Sequence, residues 1–264
     1  MRKSIINLAL LGSLVAASNM AFADSKDSER AHAASSNCAA LPSHSALKAA
    51  LIDARRADHG GFDLDMWGTV VDRDGIVCAV AFTGGDRGAQ WPGSRAISAQ
   101  KANTANAFSL PGLALSTANL FTATQPGGSL FGLQFSNPVD TGAAYKGPSK
   151  NYGQHNDPLV GVKIGGVNVF GGGLALYDST GALLGAIGVS GNSSCADHNI
   201  AWLTRHALHL DYVPSGVSGD SARPDNIVYD ITPGVGQMSG VSAKGWGHPD
   251  CGLGESAIVL PAVQ

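Results

Sequence analysis

The sequence has 264 residues, of which 17 are basic and 20 are acidic. Residues 1–23 have the pattern of a secretory signal peptide, with Arg2-Lys3, an apolar run and a small-x-small site that ends at Ala23. That segment contains two basic residues and no acidic ones, so its removal changes the formal charge from −3 to −5. This charge argues against nucleic acid and anionic membranes as partners, and no later stretch is apolar for long enough to span a bilayer. We therefore expect cleavage after Ala23 and a mature protein in the periplasm or the medium.

The first part of the mature chain predicts a disordered leader and then a folded domain. Residues 24–37 are polar and aperiodic, which is typical of disorder, and we place the domain at residues 38–210. From Pro42, apolar residues at helical spacing predict an amphipathic helix that ends at Gly60-Gly61. The Asp74-Gly75 pair between two apolar runs predicts a hairpin of residues 66–72 and 76–83.

A second helix is predicted from about residue 94 to 108. Lys101 lies in line with apolar residues on this helix, so its ammonium either reaches water past an apolar stem or binds an anion. The next region is harder to read: residues 113–121 suggest a short helix and residues 130–135 a strand. Residues 137–158 form a long loop that holds Tyr145, Tyr152 and His155, and such a loop is either functional or poorly ordered.

Residues 165–191 are rich in glycine and predict a second hairpin, with strands at 174–178 and 182–190 around Ser179-Thr180-Gly181. Alternation places Leu183, Ile187 and Val189 on an apolar face, and Ala186, Gly188 and Ser190 on a nearly bare one. Glycine inside a strand marks a close approach of backbone, helix or ligand, and we favour a packed helix here.

A helix over residues 195–210 follows, and the order of the elements predicts an α+β fold with a central antiparallel sheet. After residue 210 the composition shifts to proline, glycine and serine. We expect residues 211–264 to wrap the domain as an extension, with short strands at 226–230 and 257–260.

Four cysteines lie in the mature chain, and an oxidising compartment favours two disulfides. Three pairings are open. We prefer Cys38–Cys78 with Cys195–Cys251, because each bridge would tie a flanking segment to the core.

Three stretches resemble one known family. Residues 183–191, Leu-Leu-Gly-Ala-Ile-Gly-Val-Ser-Gly, followed by Asp197 and a helix, resemble the signature of the GlcG/HbpS-type haem-binding family, which also forms the carboxy-terminal domain of a corrinoid adenosyltransferase. Val70-Val71-Asp72 with Gly75 is similar to its first hairpin, and residues 99–105 are similar to its Lys-Ala-x-Thr-Ala helix. The resemblance covers roughly residues 42–210. It implies an α+β fold, higher-order homo-oligomers and haem as the cofactor.

The start of the last helix is the first candidate ligand site. Ser194 and Asp197 have the spacing of a helix cap, and the amides of Gly191 to Ser194, next to Ser190, could also hold a carboxylate or a haem propionate. His198 could ligate iron or act as a general base, although a lone histidine in a first helical turn is more often at the surface. Lys101 is included as a further anion-binding residue.

Haem would need an apolar slot, an axial ligand and partners for two propionates. We rank His198 first and His155 second as axial ligands; the other histidines of the mature chain that we considered are His44, His59, His206, His209 and His248. Cys195 at a helix start would be a reactive thiol if it were free, but export favours its disulfide. The sequence has no Gly-x-Ser-x-Gly, phosphate-loop or Gly-x-Gly-x-x-Gly motif, so it does not support an ordinary hydrolase or nucleotide enzyme.

Two hypotheses follow. The first is an exported haem- or tetrapyrrole-binding protein that acts in uptake, buffering or sensing and has no turnover chemistry of its own. The alternative is an enzyme or accessory factor for a small organic acid, in which Lys101 and the Gly191–Ser194 amides hold the carboxylate and Asp197 or His198 moves a proton. A structural or partner-binding role for the 211–264 extension is a further possibility.

Overall fold

A computed structural model describes residues 38–232 and 240–264. The signal peptide and the leader predicted for residues 1–37 lie outside the described residues. The described part contains six α-helices and six strands. The helices are α1 (His44–Arg56), α2 (Ser94–Phe108), α3 (Phe121–Thr124), α4 (Leu133–Ser136), α5 (Thr141–Ala144) and α6 (Ser194–Ala207). The strands are β1 (Trp67–Asp72), β2 (Val77–Phe82), β3 (Gly173–Tyr177), β4 (Leu183–Ser190), β5 (Ile231–Thr232) and β6 (Val241–Ser242).

The centre of the fold is an antiparallel sheet with the strand order β2-β1-β4-β3. Its outer strands belong to the two hairpins that the turn residues predicted, and β1 pairs with β4 to join them. The predicted α+β class with a central antiparallel sheet is therefore confirmed. The strands β5 and β6 form a separate two-stranded ribbon.

Helices α1 and α6 cover one face of the sheet. The helix α1 begins at Ser43, whose Oγ accepts from the Ala46 amide at 3.2 Å, and it buries the predicted stripe of Leu47, Ala50, Leu51 and Ala54. That stripe packs with residues of α6 and with alternate residues of all four strands in the largest apolar cluster. The hydrophobic period therefore placed α1 correctly, but the helix ends at Arg56 rather than at the predicted Gly60-Gly61.

Helix α2 covers the other face and explains the bare side of β4. A Cβ added to Gly188 would lie 2.5 Å from the Ala102 nitrogen and closer still to the Ser98 carbonyl oxygen. The two backbones can approach this closely only because Gly188 has no side chain. The preferred interpretation of the glycine face, a packed helix, is confirmed at this position.

The alternation predicted along β4 is wrong at its start. Leu176 pairs with Gly185 while Tyr177 pairs with Leu183, so Leu184 is an extra residue, a β-bulge. Leu184 therefore packs with the α1 and α6 cluster, and Leu183 packs with Tyr177 in a smaller one. A bulge moves every residue before it to the opposite face, and the sequence pattern does not show where the bulge lies.

Several weaker predictions need correction. Residues 130–135 are not a strand: the Leu130 amide donates to the Ala123 carbonyl at 2.8 Å, which closes a turn that leads into α4. Residues 113–121 contain only a 3₁₀ turn, Thr117–Leu120, before α3. Helix α6 ends at Ala207 rather than at residue 210. The strands predicted at 226–230 and 257–260 are absent, and β5 and β6 lie elsewhere in the extension.

Both preferred disulfides, Cys38–Cys78 and Cys195–Cys251, are present. Residues after 210 also contact the core, since Leu260 is buried in the cluster of α1 and α6 and Trp202 Nε1 donates to the Pro261 carbonyl at 3.0 Å. Among the helices of residues 38–232 and 240–264, none combines the length and the apolar character that a membrane crossing requires.

Candidate functional site

The glycine-rich signature encloses a buried ion pair. Lys101 Nζ of α2 lies 2.7 Å from Asp197 Oδ2 of α6 and donates to the Val189 carbonyl at 3.0 Å. A Cβ on Gly172 would lie 3.1 Å from the Asp197 Cβ and would meet the Val189 carbonyl oxygen. Glycine is thus required at this point by the close approach of the β4 and α6 backbones and by its own φ of +109°.

The electrostatics of this pair are dominated by burial. Lys101 is 1 % and Asp197 is 3 % exposed. Loss of water raises the pKa of Asp197 to about 6, while the Lys101 ammonium and the amides of Asn192 and Gly191 act in the opposite direction. Burial likewise lowers the pKa of Lys101, although Asp197 partly offsets it. Lys101 is therefore not a snorkelling side chain with a hydrated ammonium, and the anion that it contacts is Asp197.

The amides at the start of α6 also have internal partners. The Asn192 amide donates to Asp197 Oδ1 at 2.8 Å, and the Ser193 amide donates to Asn192 Oδ1 at the same distance. Ser193 Oγ caps the helix by accepting from the Ala196 amide at 3.2 Å. Asp197 thus occupies the position that the sequence suggested for a ligand carboxylate.

Ser194 and Ser190, the two serines named with that site, are placed differently. Ser194 Oγ accepts from the Gly171 amide at 2.6 Å and lies 2.8 Å from His248 Nε2. Ser190, at the end of β4, is 4 % exposed and pairs with Trp67 in the sheet. Neither serine lines the cleft described below.

His198 is fully buried, contrary to the expectation of a surface position. Its Nε2 lies 3.1 Å from Asn226 Oδ1, whereas its Nδ1 has no hydrogen-bond partner among the described residues. Burial is the main reason that the pKa of His198 falls to about 3, so the ring is neutral. His155 is exposed and lies three residues after Tyr152. The structure thus separates the two preferred axial candidates.

Four of the other histidines form hydrogen bonds within the chain. His44 Nε2 lies 3.0 Å from the Gly153 carbonyl, and His59 Nε2 lies 3.1 Å from the Arg55 carbonyl. His206 Nδ1 lies 2.7 Å from Asp211 Oδ2, while His209 is paired with Gln264. His206 and His209 therefore do not share a partner, although three residues separate them.

An open cleft of about 470 Å³ lies on the α2 side of the sheet. Three segments meet there: the start of β1, residues 86–96, and residues 144–152. Its apolar and aromatic lining consists of Trp67, Pro92, Ala96, Ala144, Tyr145 and Tyr152. This volume lies in the range of small-molecule sites.

A buried ion pair holds one wall of the cleft. Arg95, in the first turn of α2, forms a two-point contact with the Asp157 carboxylate and donates to the Ala144 carbonyl at 2.7 Å. Its guanidinium also lies 3.6 Å from the centre of the Tyr152 ring. Asp157 accepts from the amides of Gly153 and Leu159 as well. The long loop that contains Tyr145 and Tyr152 is therefore clamped against α2.

The rim of the cleft is polar. Arg87 is exposed and reaches Ser149 Oγ at 3.3 Å, and Asp86 accepts from the Gly88 amide. Tyr152 donates to the Lys146 carbonyl at 3.3 Å, whereas Tyr145 is 71 % exposed. Arg87 can thus meet an anionic group at the mouth while the aromatic rings contact a flat apolar body.

These residues fit the requirements of haem. The cleft offers an apolar slot, Arg87 can pair with a propionate, and a tyrosine oxygen is an established axial ligand for haem iron. The sequence pointed to Tyr145 and Tyr152 through the length of their loop, but it did not indicate that Trp67, Arg87 or Arg95 would join them. Only the packing of α2 against β1 brings these segments together.

The fold defines a class of α+β domain in which an antiparallel sheet is covered by helices on both faces. The chain belongs to the HbpS-like family, since the family model described as "Haem degrading protein HbpS-like" matches residues 43–204. This finding confirms the resemblance of the three sequence stretches.

Solved structures with a similar fold include a PduOC:haem complex, with 23 % identity and a TM-score of 0.44 over 64 % of this chain and 93 % of that chain. The Klebsiella pneumoniae protein ORFY has 22 % identity and a TM-score of 0.40 over 67 % of this chain and 88 % of that chain. HbpS of Streptomyces reticuli, as a double mutant, has 19 % identity and a TM-score of 0.40 over 62 % of this chain and 83 % of that chain. None of the curated proteins matches the sequence.

Proposed function

We propose that this protein is an exported binding protein for haem or a related tetrapyrrole, acting in uptake, buffering or sensing without turning its ligand over. The observation that carries the proposal is the aromatic cleft with Arg87 at its rim, in a member of a family described by haem chemistry. Two disulfides are compatible with export. Assembly into a homo-oligomer is part of the same proposal.

Within the cleft, the planar ligand lies against the two tyrosines, the buried Trp67 forms part of the floor, and Arg87 pairs with a propionate. Tyr145 is the axial candidate that lines the cleft. His155, from the same loop, remains the competing candidate. His198 is less favoured because it is fully buried, is held by Asn226 and does not line the cleft.

The first experiment is a titration of the mature protein with hemin, followed by its Soret band. We expect a shifted band and saturation at one equivalent per chain; no shift at micromolar hemin would overturn the proposal. Incubating the complex with a reductant and oxygen then separates binding from degradation. Decay of the Soret band with release of iron would show that the protein degrades haem, and turnover would then replace the binding role.

Variants locate the site. Ala96→Trp fills the cleft from α2 and should abolish binding, whereas Ala107→Trp, on an exposed position of the same helix, should not. Arg87→Ala should weaken binding about tenfold through loss of a charge-assisted contact, with the exposed Arg56→Ala as the matched control. Equal affinity of the Ala96 and Ala107 variants would place the ligand elsewhere.

The axial residue is tested separately. Tyr145→Phe retains the ring and removes the oxygen, so it should eliminate the charge-transfer band of a ferric tyrosinate with only a modest loss of affinity. His155→Ala should leave that spectrum unchanged. If His155→Ala changes the spectrum of the bound iron and Tyr145→Phe does not, the axial ligand is His155.

A further inference from the structure

A cluster of potential metal ligands lies outside the cleft, at the junction of α6 and the extension. Cys195 is the second residue of α6, and Cys251 and His248 belong to the segment that covers it. The two sulfur atoms and a ring nitrogen of His248 lie within 4.8 Å of one another. Cys195 and His248 are buried, and Cys251 is partly buried.

We propose that reduction of the Cys195–Cys251 disulfide creates a binding site for one thiophilic metal ion, Zn²⁺ or Cu⁺, held by both thiolates and by His248 Nδ1. Two sulfur ligands and one imidazole suit these soft or borderline cations. The fourth position is left to water. The disulfide form cannot bind the ion in this way, so the site is controlled by redox state.

The geometry is close to that of a tetrahedral site. With metal–sulfur bonds of about 2.3 Å and metal–nitrogen bonds of about 2.1 Å, sulfur and nitrogen ligands stand about 3.6 Å apart and two sulfurs about 3.8 Å apart. Cys195 Sγ is already 4.0 Å from His248 Nδ1. Reduction therefore has to separate the two sulfurs from about 2 Å to about 3.8 Å by rotation of the cysteine side chains, whereas the distance from Cys195 Sγ to His248 Nδ1 changes by only a few tenths of an ångström.

Contacts other than the disulfide keep the two segments together after reduction. Glu255 accepts from Ser193 Oγ, and its carbonyl accepts from Asn199 Nδ2 at 3.0 Å. The His248 amide donates to the Val228 carbonyl at 2.9 Å. These contacts therefore hold the backbone of the two segments together when the sulfur–sulfur bond is broken.

The surroundings favour the metal-binding forms of these side chains. The Cys195 amide, at the start of α6, donates to Cys251 Sγ at 3.2 Å, and the positive end of a helix stabilises thiolates. His248 Nε2 lies 2.8 Å from Ser194 Oγ. When Nδ1 turns from the Pro249 carbonyl to the metal, the ring proton resides on Nε2 and is donated to Ser194, which is the usual orienting contact of a metal-bound histidine.

A dithiol supplies the electrons and protons that reduce the Cys195–Cys251 disulfide. The dithiol gives two electrons and two protons to the Cys195–Cys251 bond and becomes a disulfide itself, and the protein gains two thiols. Metal binding then releases two protons as both thiols become thiolates. No other co-reactant is needed.

The test uses the mature protein, oxidised or reduced with a dithiol and then freed of the reductant without oxygen. Co²⁺ serves as the spectroscopic probe, and Zn²⁺ affinity is measured by competition with a chromogenic chelator. We expect thiolate-to-cobalt charge-transfer bands and one Zn²⁺ per chain in the reduced protein alone. Equal binding by the oxidised and reduced proteins would overturn the proposal.

Variants assign the ligands. The Cys195→Ser, Cys251→Ser variant should lose the site, whereas the Cys38→Ser, Cys78→Ser variant is the matched control and should retain it. That second pair has the Asp72 carboxylate beside it, of which Oδ1 accepts from the Asp74 and Ile76 amides and Oδ2 has no hydrogen-bond partner among the described residues. Binding that follows the control pair would refute the assignment.

Two further variants retain both disulfides and therefore test the site even if the cysteine variants fail to fold. His248→Ala should weaken Zn²⁺ binding at least a hundredfold in the reduced protein. Ser194→Ala should weaken it about ten- to a hundredfold, as expected for a residue that orients a ligand. Unchanged affinity in the His248 variant would exclude this site.

Discussion

Replacing Gly188 by alanine is the most direct test of how the central glycine strand packs. The added methyl would lie 2.5 Å from the Ala102 nitrogen, whereas ordinary contacts begin at 3.4 Å. Because the neighbouring atoms are backbone and the Ser98 carbonyl oxygen is closer still, α2 must retreat by at least about 1 Å. A gap of that size removes about a quarter to a half of the dispersion energy of the affected contacts. We expect a loss of about 3 kcal/mol in the free energy of unfolding, at the upper end of overpacking effects.

The measurement is urea unfolding with the disulfides intact, followed by tryptophan fluorescence and circular dichroism. Gly85→Ala is the matched control, since a Cβ at Gly85 meets nothing within 4 Å, and it should change stability by less than about 0.5 kcal/mol. If Gly188→Ala unfolds at the same urea concentration as the wild type, the close approach of α2 to β4 is refuted.

Three further predictions concern buried titratable side chains. Lys101→Met leaves the Asp197 carboxylate buried without its cation and should cost about 3–5 kcal/mol, and adding Asp197→Asn should restore much of that loss; additive effects in urea unfolding would contradict the pairing. The pKa of His198 is lowered to about 3 from 6.5. The contribution of its neutral ring to the free energy of unfolding is therefore fully present above pH 6.5 and is lost as the pH falls. Wild type should therefore lose about 1.4 kcal/mol per pH unit relative to His198→Gln between about pH 6 and pH 4; parallel profiles would show that the ring is accessible. Asp157→Asn weakens the clamp on Arg95 and should expose the 137–158 loop to limited proteolysis before global unfolding, whereas a cleavage rate equal to that of the wild type would contradict the clamp.

The elements that sequence predicted well are those whose signals are local. The bounds of α2 were predicted as residues 94 to 108, and the Asp74-Gly75 turn gave the first hairpin. Residues 130–135 were misjudged because a short apolar run between glycines is compatible with a strand and with a turn followed by a helical turn. Only the contact of Leu130 with Ala123 decides between them.

The candidate site was harder to predict because its residues are distant in sequence. The pattern placed Lys101 among apolar neighbours, but it did not indicate that Asp197, 96 residues later, would neutralise it. Arg95 and Asp157 are separated by 62 residues and depend on the same kind of tertiary contact. The burial of a charged residue can be recognised from sequence only when its partner of opposite charge is known.

Three buried ion pairs lie among the described residues, namely Lys101–Asp197, Arg95–Asp157 and Arg205–Asp225. The inner side of α2 presents Ala99, Ala102 and Ala105, which pack close to the sheet and leave little apolar volume of their own. Arg95 lies in the first turn of α2 and Arg205 in the last turn of α6, and each is neutralised by a buried aspartate. Because the cost of removing two charges from water offsets most of their attraction, these pairs add little net stability. Their effect is to select one arrangement, since a misplaced loop or extension would leave a charge buried alone. The Arg95–Asp157 contact therefore fixes the wall of the cleft, because moving the loop away from α2 would break this ion pair.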